Sequence, residues 1–132
     1  MRSPGSWLNV TMERDSVCAG DDVHAPHPKT ISTPPDCTLA QILDTIHNER
    51  YLPRISGDCA TWIVESQRPL AVMAQQWSAP RFLIAPETRL VDCAELERPC
   101  TLFFRYWCQI DPAVVFDCLV AGRPLPDMYG RA

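Results

Sequence analysis

The sequence predicts an α+β fold: a β-grasp-like mixed sheet packed on one amphipathic helix, with a second helix added near the C-terminal end. Three observations carry this reading. Leu8, Val10 and Met12 alternate with Asn9, Thr11 and Glu13, the period-two pattern of a strand with one face turned inward. Leu39, Ile42, Leu43 and Ile46 fall at i, i+3, i+4 and i+7, a helical stripe. Residues 101–108 are apolar or aromatic on both faces (Leu102, Phe104, Tyr106 against Phe103, Trp107), as in a central strand covered on both sides.

The remaining elements follow in order. After the first strand the apolar period disappears between Arg14 and Pro28, where Gly20, Asp21, Asp22, Pro26 and Pro28 mark a long connection. A structureless loop of this length is uncommon in a small domain and is often functional. Residues 29–33 return as a second strand. Pro34 and Pro35 break the chain, and Asp36 or Thr38 caps the helix. Pro53 and Gly57 close the next loop. Residues 60–64 and 69–76 then form a hairpin through Ser66, Gln67 and Arg68. Residues 81–84, between Pro80 and Pro86, form a brief edge strand, since proline is tolerated at strand edges and ends. Residues 88–93 make one helical turn. Asp111 and Pro112 open the last helix as N-cap and first-turn proline, and Gly122 ends it. Its apolar face is Val114, Val115, Cys118 and Leu119, expected to cover the outer face of the central strand. The chain is thus one domain over residues 7–122, between an N-terminal arm (1–6) and an extended tail (123–132).

The element order β-β-α-β-β-(β)-turn-β-α resembles, from residue 7 to residue 108, a ubiquitin-like β-grasp. The likeness is one of element order, and the long first loop and the last helix depart from it. A second resemblance lies in Arg14-Asp15-Ser16-Val17-Cys18-Ala19-Gly20-Asp21-Asp22, with Val10-Thr11 before it, Ala25-Pro26-His27 behind it and Ala74-Gln75-Gln76-Trp77 later. These motifs look like those of a scattered family of small bacterial proteins with no assigned function, which implies a bacterial source and no activity to carry over. Small acidic proteins of this kind are similar in style to the immunity proteins of toxin systems.

A net charge of −4, with Lys29 the sole lysine and the arginines scattered, excludes a basic stripe for nucleic acid or a polybasic membrane anchor. No stretch approaches the roughly 18 to 20 apolar residues that span a bilayer. The seven cysteines (Cys18, Cys37, Cys59, Cys93, Cys100, Cys108, Cys118) are odd in number and contain no CxxC pair, which argues against a disulfide scaffold. Met1 to Ser6 lacks the apolar core of a secretory signal. The expectation is a cytoplasmic chain with reduced thiols.

Four groups of residues suggest chemistry. Cys18, His24 and His27 give C-x5-H-x2-H beside Asp15, Asp21 and Asp22, and thiolate and imidazole are the ligands zinc uses. The spacing matches no standard zinc motif, and the bland alternative is a hydrogen-bonded loop in which Asp15, Ser16 and Asp21 satisfy backbone amides. Cys18 as a nucleophile, with a histidine as base, would make a cysteine-dependent enzyme, but no flanking signature supports it. Gln75, Gln76, Trp77 and Arg81 unite residue types enriched at binding hot spots, whereas a buried Trp77 would simply pack beneath its loop. His47 suits the C-terminal end of the first helix. The reading that absorbs most of these residues is a non-enzymatic, immunity-type or adaptor module. It binds a basic protein partner through Asp15, Asp21, Asp22, Gln75, Gln76, Trp77 and Arg81, with a zinc-binding domain as the alternative.

Overall fold

The computed structural model describes residues 7–15, 28–53, 55, 57–93 and 101–127. Its elements are β1 (Leu8–Arg14), β2 (Lys29–Thr33), α1 (Leu39–Asn48), β3 (Thr61–Glu65), β4 (Pro69–Ala74), β5 (Arg81–Phe82), α2 (Leu90–Cys93), β6 (Thr101–Tyr106) and α3 (Pro112–Ala121). The strands form one mixed sheet in the order β2-β1-β6-β3-β4-β5. β1 and β6 pair in parallel at its centre, with Met12 opposite Leu102, and every other pair is antiparallel. First and last strands lying side by side, each flanked by a hairpin, is the β-grasp-like arrangement that the element order implied.

Burial follows the predicted periods. Val10 and Met12 of β1, Trp62 and Val64 of β3, Ala71 and Met73 of β4, and Leu102 and Phe104 of β6 all point to one face. There they meet Leu39, Ile42, Leu43 and Ile46, the whole apolar stripe of α1. Of the two possible caps, Thr38 is the one used: its hydroxyl accepts from Gln41 N at 3.2 Å, and the Gln41 side chain returns the bond to Thr38 N at 2.9 Å. Leu90, at the start of α2, is fully buried in the same core. Paired backbone bonds, Leu39 N to Thr88 O and Leu90 N to Cys37 O, hold that segment to the start of α1.

The opposite face of the sheet carries a smaller core of Ile63, Val72 and Val115, backed by Trp107, Phe116, Leu119 and Leu125. Here the structure corrects the sequence reading. α3 rests on β3 and β4 rather than on the outer face of β6, where Arg105 instead forms an ion pair with Glu65 at 2.7 Å. Val114, expected on the inner face, is 44 % exposed, and the inward positions are Pro112, Val115 and Cys118. Asp111 caps the helix as expected, accepting from Ala113 N at 3.0 Å. Gly122 closes it with φ of 68°, a left-handed position where a side chain would strain the backbone. Trp107 Nε1 donates to the Pro126 carbonyl at 2.9 Å, and Leu125 packs on the second core, so residues 123–127 dock although they have no regular structure.

Three strands end earlier than expected, and β5 covers only Arg81–Phe82 of residues 81–84. β6 stops at Tyr106 because Cys108 takes a left-handed φ of 55° and turns the chain away. β4 stops at Ala74 because Gln75 and Gln76 turn there. No helix of the described residues is long and apolar enough to cross a membrane.

Candidate functional site

Two adjoining hollows, of about 370 and 260 Å³, lie where the C-terminal half of α1 meets the end of β4. They share His47, Met73 and Ala74, and so form one groove. Local sequence explains each wall. The last turn of α1 delivers His47, and Arg50 then reverses the chain with a left-handed φ of 56°, laying Leu52 and Pro53 along the larger hollow. β3 and β4 contribute Trp62 and Met73 from the main core as its apolar floor. Arg50 and Asp58 add polar side chains to its lining. An apolar floor with a few convergent polar groups, at this size, is the composition of a binding cleft.

The smaller hollow is walled by α1 (Ala40, Leu43, Asp44) and by the turn that carries Trp77, Ser78, Ala79 and Pro80. Trp77 is half-buried: it lines this hollow and also packs against the second core. The Arg81 guanidinium lies over its ring at 4.3 Å from the centroid, a cation–π contact that fixes the indole at the rim. Gln76 and Arg81 are exposed.

The structure places the other candidate residues differently. Gln75 spends its amide inside the fold: Oε1 accepts from Ala60 N at 3.0 Å and Nε2 donates to the Ile55 carbonyl at 3.2 Å, clamping the loop that walls the larger hollow. Asp15 ties the central strands together, its Oδ2 accepting from Tyr106 N at 3.0 Å while its own N–H donates to the Phe104 carbonyl at 3.0 Å. It lies on the sheet and is not brought to the groove. Cys18, Asp21, Asp22, His24 and His27 fall outside the described residues. Among the described residues no group of three or more His, Cys, Asp or Glu is placed to hold a metal ion.

Sequence reasoning missed His47, Arg50, Trp62 and Met73 as groove residues. His47 had a sufficient explanation at a helix end, and Trp62 and Met73 look like any strand core. Only the closeness of α1 to the end of β4 joins them. Cys37, Cys59, Cys108 and Cys118 are free thiols, with Cys37 and Cys118 buried. Burial pushes the Cys37 thiol above its usual pKa, aided by the nearby Asp36 carboxylate and opposed by a hydrogen bond with Thr33. No protein-family model, curated protein or solved structure matches the chain.

Proposed function

We propose that this chain is a non-enzymatic protein-binding module, and that the groove between α1 and the Ala74 to Phe82 segment receives an extended segment of a basic protein partner. The observation that carries the reading is Trp77, held at the rim by Arg81 beside an apolar floor of Trp62 and Met73. A fixed aromatic anchor next to a hollow loses little side-chain entropy on binding, and tryptophan and arginine are enriched at interface hot spots. The net charge of −4 favours a cationic partner through steering more than through contact energy, with Asp44 beside the groove. Asp21 and Asp22 extend that acidic character along the sequence. An immunity-type or adaptor role in the cytoplasm accords with such a module.

The test begins with purification from the native host under reducing conditions, with mass spectrometry of stoichiometric partners and metal analysis of the same sample. Against the partner so obtained, Trp77→Ala is expected to weaken binding by about 30-fold, the effect of losing an anchor worth roughly 2 kcal/mol. An unchanged affinity removes the groove from the reading. Loss of binding in Asp21→Lys with Asp22→Lys alone moves the interface to the first loop. Stoichiometric zinc, lost on substitution of Cys18, His24 or His27, replaces the reading with a metal-binding domain.

A further inference from the structure

The two ten-residue helices of this fold differ on their outward faces. α1 turns Gln41, Asp44, His47 and Asn48 to solvent, as an amphipathic helix should. α3 instead exposes Val114 (44 %), Asp117 and Val120 (63 %), with Ala121 alongside. Its inner face is also apolar and already seated on Ile63 and Val72. Apart from Asp117 both faces of α3 are apolar; a helix apolar on two faces belongs between two surfaces, and among the described residues α3 has one. In the middle of the exposed stripe, three residues from each valine, Asp117 makes no hydrogen bond or ion pair with any described residue.

We propose that the outer face of α3 is a second protein-docking surface, and that its occupant is a partner helix presenting an arginine or lysine between two aliphatic side chains. The pattern on α3 is aliphatic, carboxylate, aliphatic at helical spacing. Its complement places aliphatic groups over Val114 and Val120 and a cation over Asp117. A second copy of α3 fits poorly, because pairing about a two-fold axis through the stripe sets Asp117 against Asp117 in a surface that docking would dry. The surface lies across the sheet from α1 and does not depend on the groove.

The experiment is a selection of helical peptides from a displayed library against the full chain, with counter-selection on Val114→Gln/Val120→Gln. These residues are exposed, so the variants are expected to keep the parent's amide spectrum. Enriched peptides are expected to carry Arg or Lys flanked at three or four residues by Leu, Ile or Val. Their binding is expected to shift amides of α3, to weaken about tenfold or more in Asp117→Lys, to recover when the peptide cation becomes Glu, and to be indifferent to Asp44→Ala, an exposed groove position outside the second core. Binders that ignore Asp117, or that bind Val114→Gln/Val120→Gln as well as the parent, overturn the proposal. So does sedimentation of the chain alone as a dimer that Val120→Lys dissociates, which assigns the face to a second copy.

Discussion

Several side chains that look like surface ligands in the sequence hold the backbone together in the fold. Asp15 caps the parallel pairing of β1 with β6, and Gln75 bridges two stretches 15 and 20 residues away. Neither role is written in local spacing, because the partners are main-chain groups brought close only by the finished sheet. Tyr51 is a different case, a half-buried ring packed against the main core. It packs edge-on against Phe104 with ring centroids 5.7 Å apart, and Arg14 lies 5.8 Å from its ring centre. Burial pushes its phenol up to about 12, with the Arg14 charge pulling the other way and Glu13 adding a little. The folded state therefore holds the Tyr51 proton more tightly than the unfolded chain, whose tyrosines titrate near 10. The resulting stabilisation is complete below about pH 10 and is lost as pH rises towards 12. Following tyrosinate absorbance in the near ultraviolet is expected to show a late titration that disappears in Tyr51→Phe. A folded-state titration of Tyr51 near 10 shows instead that water reaches the ring.

Among the elements, α1 was the most legible: its stripe, its start and its break at the following loop are all local. Its capping box has a measurable weight. Thr38→Ala removes the hydroxyl that satisfies Gln41 N and is expected to cost about 0.5–2 kcal/mol in urea unfolding, with the slope against denaturant unchanged. A loss below that range shows that the bonds Leu39 N and Ala40 N donate to the Thr88 and Pro86 carbonyls suffice to start the helix. β5 and α2 were also foreseen, from Pro80 and Pro86 and from a short apolar turn. The seat of α3 was not. Val114, Val115, Cys118 and Leu119 satisfy a helical face as well as Pro112, Val115 and Cys118 do, so period alone could not fix the rotation of so uniformly apolar a helix. Nor could it reveal that Arg105 and Glu65 occupy the part of the sheet where α3 was expected.

At the scale of the molecule, one sheet separates two unequal cores. The larger, beneath α1, draws on β1, β3, β4 and β6, whereas α3 is secured by Val115 on Ile63 and Val72 and by a rim of half-buried residues. Amide exchange is therefore expected to be slowest in β1, β6 and β3 and measurably faster in α3, which opens without disturbing the main core. Equal protection throughout would make α3 part of a single cooperative unit. The groove was the least legible feature of all, since its walls come from residues 40–53, 58–62 and 73–82, which no sequence window joins. The parallel contact of β1 with β6 has a consequence during synthesis. A nascent chain that has left the ribosome as far as Cys93 already contains both outer hairpins but not the strand that lies between them. Until residues 101–106 emerge, β1 and β3 each keep one edge unpaired. The sheet is thus completed by the last of its strands to emerge, and until then its two halves wait as adhesive edges that a chaperone, or a neighbouring chain, meets first.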